Sequence, residues 1–240
     1  MGTEKINMTN EPLKLTVKAN ENDSVTALLY PAAKKNRLGV TIILGHGAGA
    51  NQMSGFMRLF ANGLAERGFD AMTFNFIYTE LGKGVPDAKA KLESCFRAVI
   101  EAALNHKKLK GNRVLIGGKS MGGRIASQVA AEACEKKEAL ASQINGLVFL
   151  GYPLHPPGNP AKLRVDHLPH IKMSMLFVQG TRDSLGTSDE IKPFIKKLKL
   201  PAKLYAIEGG DHSFKAPKKF GKTQEQIYEA AMDEIRSWAS

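Results

Sequence analysis

The sequence predicts an α/β fold: a mostly parallel sheet that opens with an antiparallel hairpin and carries helices on both faces. Three observations support this. Two alternating segments stand at the start of the chain, short unbroken apolar runs follow, and longer amphipathic stretches separate those runs. The 240 residues suit one large α/β domain over 1–240, and 43% hydrophobic residues suffice for an ordinary core. No internal repeat, low-complexity tract or linker interrupts the pattern.

The elements follow in order. Leu13–Lys18 and Ser24–Tyr30 alternate in polarity and flank the turn-rich Asn20-Glu21-Asn22-Asp23, which is a hairpin pattern. Residues 40–44, 71–75, 113–116, 146–150, 173–178 and 202–207 are apolar without alternation, as strands covered on both faces must be. Between them, 87–108 keeps Ala88, Leu92, Cys95, Phe96, Val99 and Ala103 on one helical face. The last helix begins at Thr223-Gln224-Glu225-Gln226, where threonine and glutamine can cap one another. It carries Ile227, Ala231, Ile235 and Trp238 on one stripe.

Composition narrows the function classes. The stretch 1–14 has no signal-peptide apolar run and no segment has the length of a membrane span, so a cytoplasmic location is expected. Met1-Gly2 would open a myristoylation signal, but Ile6 stands where that signal wants Ser or Thr. Cys95 and Cys134 read as buried free thiols, with no zinc-site spacing around either. The net charge of +11 includes a lysine-dense run from 192 to 222, read as a solvated face. Few aromatics interleave with it and no nucleic-acid module is matched, so no nucleic-acid partner is expected. Oligomeric state is not legible.

In sheets of this kind ligands collect beyond the carboxyl ends of the strands. After 113–116 comes Gly117-Gly118-Lys119-Ser120-Met121-Gly122-Gly123 and then a helical run. Gly118-x-Ser120-x-Gly122 is the nucleophile-elbow pattern: a tight strand-to-helix turn needs small residues two either side of the serine, and it raises the hydroxyl at a helix N-terminus. Gly-Lys-Ser also suggests a phosphate loop, but that motif needs glycine where Arg113 stands. The other alternative is a plain helix cap.

A serine nucleophile needs a base and an orienting acid. Strand 173–178 runs into Asp183 and strand 202–207 into His212, in the order acid then histidine. Asp211 is a rival acid, ranked below Asp183 because adjacent side chains orient one another poorly. For the oxyanion hole, Gly45-His46-Gly47-Ala48-Gly49-Ala50-Asn51 follows strand 40–44, and the expected donors are the N–H groups of Met121 and Ala48. His46 reads as a brace for that loop. A dinucleotide loop fails here, since Ala50 occupies its third glycine position.

Taken together, GHGAGAN at 45–51, FNFIYTELGKGVPD at 74–87, GGKSMGGR at 117–124, GYPLHPPGNPAKLRVDHL at 151–168, QGTRDSLG at 179–186 and GGDHSF at 209–214 resemble the α/β-hydrolase superfamily. The resemblance spans nearly the whole chain. It is strongest to small, lidless dienelactone-hydrolase-like proteins, including the testis-expressed and histone-acetyltransferase-complex-subunit group. Ser120 stands where dienelactone hydrolases proper have cysteine, and Ile77 and Lys83 stand where related sequences have proline and arginine. The expected activity is hydrolysis of a small-molecule ester or related acyl compound through an acyl-Ser120 intermediate, with no metal or organic cofactor. The alternatives are a non-catalytic interaction protein on this fold, or a peptidase, thioesterase or lactonase. The stretch between Leu150 and Met173 is too short for a mobile helical lid. Tyr78, Tyr152 and His155 are expected either to rim an open cleft or to pack the loops around it.

Overall fold

The computed structural model describes residues 11–199 and 201–240. The readings made on Gly2 and Ile6 lie outside them. Strands β1 (Leu13–Lys18) and β2 (Ser24–Tyr30) pair antiparallel from Leu13↔Leu29 to Lys18↔Ser24. Asn20 closes their turn, its Oδ1 accepting from the N–H groups of Asn22 and Asp23 at 2.8 Å. β3 (Val40–Gly45), β4 (Phe69–Phe74), β5 (Arg113–Lys119), β6 (Ile144–Leu150), β7 (Ser174–Gly180) and β8 (Ala202–Ile207) run parallel to one another. All eight form one sheet in the order β1-β2-β4-β3-β5-β6-β7-β8, with β2 antiparallel to β4.

Among the described residues seven α-helices accompany the sheet: α1 (Gly55–Glu66), α2 (Ile77–Glu80), α3 (Lys89–Asn105), α4 (Met121–Glu135), α5 (Ala139–Gln143), α6 (Ser188–Lys197) and α7 (Gln224–Ala239). Phe60 and Leu64 of α1 and Ile227 and Ile235 of α7 pack with Ile42, Leu44 and Val148 on one face. Phe96 of α3, Ile125 and Val129 of α4 and Ile191 of α6 pack with Ile43, Ile116 and Phe149 on the other. This double covering is why β3 is buried at every position and its sequence shows no alternation. Helix α7 starts with the reciprocal cap expected at Thr223 and Gln226.

Strand bounds shift by a residue or two from those expected: β3 runs on to Gly45, β6 begins at Ile144, and β7 starts at Ser174 and ends at Gly180. The departures of β4, β5 and β8 have particular causes. β4 begins at Phe69, two residues early, because buried Asp70 is accepted within the strand. Its carboxylate takes hydrogen bonds from Arg37 (2.8 Å), Asn112 (2.8 Å) and the Ala32 N–H (3.1 Å). β5 continues to Lys119, since Gly117 and Gly118 still pair with β6 and β3. β8 is an edge strand with Lys203 and Ala206 exposed, so it is not covered on both faces.

Cys95 is buried, and burial pushes its thiol up to about 12. Cys134 is half-buried against Met173 rather than buried as expected. Lysines 192, 196, 197, 199, 203, 215, 218, 219 and 222 are all exposed. No helix among the described residues is long and apolar enough to cross a membrane. Between β6 and β7 lies irregular chain with one 3-10 turn at Leu168–His170, and no helical lid. From β3 the chain moves outward to β4 and then returns past β3 to β5. The loops after β3 and β5 therefore flank the point where the strand order reverses, which is where such sheets hold ligands.

Candidate active site

Ser120 joins β5 to α4 with φ 51° and ψ −113°, a left-handed conformation that a serine adopts at a cost of about 1–3 kcal/mol. The flanking glycines allow the turn. A Cβ on either Gly118, at φ 146°, or Gly122 would lie 2.1 Å from the Gly45 carbonyl oxygen. The end of β3, the end of β5 and the start of α4 thus touch backbone to backbone. Ser120 occupies the N-cap position of α4, yet its side chain makes no capping hydrogen bond. The hydroxyl is therefore not committed to the helix, as the plain-cap alternative would require.

The pairing Gly180↔Ile207 sets the loops after β7 and β8 side by side. His212 Nδ1 lies 2.9 and 2.8 Å from the two carboxylate oxygens of Asp183. A carboxylate only accepts, so Nδ1 carries the proton and Nε2 presents its lone pair. His212 Nε2 is buried and has no hydrogen-bond partner among the described residues. Asp183 is 1% exposed and also accepts from the Leu185 N–H (2.8 Å) and from Gln179 Nε2 (2.8 Å). The rival Asp211 spends its carboxylate within its own turn, accepting from the N–H groups of Ser213 (2.7 Å) and Lys215 (2.9 Å).

Gln179 escaped the sequence reading. It is fully buried, accepts from the Tyr152 N–H at 2.7 Å, and donates to Gly186 O at 2.6 Å as well as to Asp183. The available signal was one amide at the carboxyl end of an otherwise apolar run, Met-Leu-Phe-Val-Gln.

The pairing Gly45↔Gly118 brings the loop after β3 beside the elbow. A Cβ on Gly47 would stand 3.5 Å from Ser120 Cβ, so the loop backbone closely approaches the serine. Ala48 is exposed on that loop, and Met121, the first residue of α4, has an amide without an intrahelical partner. His46 is fully buried. Its Nδ1 donates to Gly47 O (2.9 Å), while Nε2 accepts from the Phe76 N–H and lies 3.3 Å from Thr79 Oγ. Burial pushes its pKa down, so the ring is a neutral brace. Gln52 braces the same loop through Thr26 O (3.0 Å) and Asn75 (3.0 Å).

The cleft-rim expectation needs correction, because Tyr78, Tyr152 and His155 are all buried. Tyr152 packs on Phe149 and Phe177, and its hydroxyl donates to Arg164 O (2.7 Å). His155 braces the acid loop through Leu185 O (3.1 Å). Both pack loops because the chain after β6 folds down onto the sheet end. Tyr78 packs edge-on to His46, and its hydroxyl lies beside Gly49 without a well-formed hydrogen bond. Exposed apolar side chains near this end of the sheet are instead Met53, Leu81 and Val85. A cavity of about 490 Å³ lies elsewhere, beside α4, lined by Lys89, Glu132, Glu135, Arg164 and His167 among others; none of Ser120, Asp183 and His212 borders it.

Residues 39–240 match the model of the alpha/beta hydrolase domain family. Solved structures with similar folds include a serine hydrolase without lid from Xanthomonas campestris, at TM-score 0.67 and 18% identity, covering 95% of both chains. A dienelactone hydrolase from Anabaena variabilis aligns at TM-score 0.70 and 19% identity, over 95% of this chain and 97% of that one. An esterase from Pyrococcus furiosus aligns at TM-score 0.71 and 14% identity, over 100% and 93%. With an eight-stranded sheet of matching architecture and a family model spanning all but the first strands, the chain belongs to the α/β-hydrolase domain family.

Proposed function

We propose that this protein is a serine hydrolase of small carboxylic esters or related acyl compounds, acting through an acyl-Ser120 intermediate. The observation that carries the reading is the His212 ring. Its Nδ1 is held by buried Asp183 and its Nε2 is left unpartnered, while Ser120 stands uncommitted at a strained turn. In this scheme Ser120 Oγ attacks the acyl carbon as its proton passes to His212 Nε2. The carbonyl oxygen gains negative charge and accepts from the N–H groups of Met121 and Ala48, each such donor worth about 3 kcal/mol at the transition state. The acyl–oxygen bond then breaks, and the leaving alkoxide takes the proton from His212. Water repeats the sequence on the acyl-serine: it gives a proton to His212, releases the acid, and the proton returns to Ser120. Asp183 orients the ring and favours its charged form. The scheme requires no cofactor.

The test is labelling by a fluorophosphonate, alongside Ser120→Ala and His212→Ala, followed by a screen of short-chain esters. Rapid labelling of the wild type that both substitutions abolish is the expected result. Folded wild-type protein that does not label would overturn the reading in favour of an interaction protein on this fold.

A further inference from the structure

We propose that Lys119, the residue preceding Ser120, is a positioning residue whose buried ammonium holds the His212 loop in register with the nucleophile. The proposal rests on the acyl-transfer reading above.

Lys119 ends β5 and is 9% exposed, an unusual position for a cation. Its Nζ donates to the backbone carbonyl of His212. The ammonium also lies 5.5 Å from the ring centre of Phe56 and 5.7 Å from that of Phe214. Phe56 stands in the first turn of α1, just beyond the oxyanion loop, and Phe214 follows His212 by two residues. One ammonium therefore ties together the nucleophile's neighbour, the histidine loop and the helix after the oxyanion loop. Gly151 leaves it room: a Cβ there would stand 2.9 Å from Nζ and 3.4 Å from His212 Cε1.

No carboxylate lies within ion-pair distance of Nζ among the described residues. Removing a lone ammonium from water is unfavourable, and a methionine of similar length would fill the same space without that penalty. What methionine would lack is a charged donor aimed at the His212 carbonyl. Asp183 fixes the imidazole through Nδ1. Lys119 fixes the backbone that carries it, from a point one peptide away from Ser120. Base and nucleophile then move as one unit.

Burial pushes the Lys119 pKa down to about 8, opposed in part by Asp183 and Asp211. The titratable groups around it are Asp183, Asp211, His212 and Tyr228, and burial raises the Tyr228 phenol above its usual range. A general base becomes more available as pH rises, so a rate that instead falls near pH 8 has the sign of Lys119 losing its proton.

The decisive variant is Lys119→Met, compared with wild type for fluorophosphonate labelling, ester kinetics, melting temperature and the low-field proton resonance of the His212–Asp183 hydrogen bond. Labelling rate and kcat are expected to fall about tenfold or more, with KM within about twofold, because misplacing a catalytic group acts on the transition state. The low-field resonance should shift or broaden. Lower melting with unchanged labelling per folded molecule would assign Lys119 a structural role and overturn the proposal. If the variant does not fold, the wild type decides it: labelling rate is followed against pH beside a ¹³Cε lysine titration. A rate that declines as Lys119 deprotonates supports the tether, and a rate flat through that titration refutes it. A wild type that never labels overturns the parent reading as well. A wild type that labels beside an equally reactive Lys119→Met overturns the tether alone.

Discussion

Asp183 shows how much of this site lies in residues with no motif. Its two oxygens receive His212, the Leu185 N–H and Gln179, whose amide is anchored at its other end to Tyr152. In Gln179→Leu the Tyr152 N–H and one Asp183 contact would lose their partner in a fully buried place. A stability loss of about 1–3 kcal/mol is expected, since an orphaned buried group carries its whole desolvation penalty. Hydrolysis should show kcat lowered about tenfold with KM little changed, measured on protein that remains folded. Ser120, Asp183 and His212 could be singled out from sequence because each follows an apolar run. Gln179 and Lys119 could not: each is one polar letter at a strand end, and only the fold shows that it points inward. Tyr152 and His155 stay undecided in the sequence for the converse reason, since amphipathic side chains after a strand fit a rim or a packed loop equally well, and only their burial selects packing.

At the scale of elements, the decisive contact is α4 against the end of β3. Gly122 lies in a helix, where alanine is ordinarily favoured by about 1 kcal/mol. Here a Cβ would meet Gly45 O at 2.1 Å and Gly45 C at 2.3 Å, both backbone atoms without room to yield. Gly122→Ala should therefore destabilise by at least the roughly 1–3 kcal/mol of an overpacked core, and displace Ser120 with the helix start. Chemical denaturation measures the first effect and fluorophosphonate labelling the second. A variant more stable than wild type would contradict the packing described. Strand positions were readable from apolar runs, but their ends were not. Asp70 masked the start of β4 because a carboxylate ends an apolar run on paper and sits buried in the fold. β8 looked like an inner strand because its apolar letters do not say which strand is last in the sheet.

For the molecule as a whole, pH dependence follows from buried imidazoles. His167 pairs with Ser127 Oγ at 2.7 Å, and burial with the nearby Arg124 and Lys89 lowers its pKa to about 4. His46 is also pushed down by burial. In the unfolded chain these rings take up protons near 6.5, while the folded protein refuses them until lower pH. The unfolded state then binds more protons, so stability falls as pH drops from about 6.5 towards 4, and His167 alone accounts for roughly 3 kcal/mol at most. His167→Gln, which keeps a donor for Ser127, should flatten that decline. Melting temperatures at neutral and mildly acidic pH for both proteins check it, and equal declines would remove His167 as the cause.

The class of fold, the hairpin, the strand count and the identity of the serine, acid and histidine candidates can all be read along the chain. Those properties are written locally, in apolar periodicity and in the small residues that tight turns require. Tertiary structure decided the strand order, the double brace on His212 and the burial of Tyr78, Tyr152 and His155. Each depends on which distant backbones come side by side: Gly45 with Gly118, Gly180 with Ile207, and Lys119 with His212. No spacing along the chain encodes those meetings, because they arise from the register of parallel strands far apart in sequence.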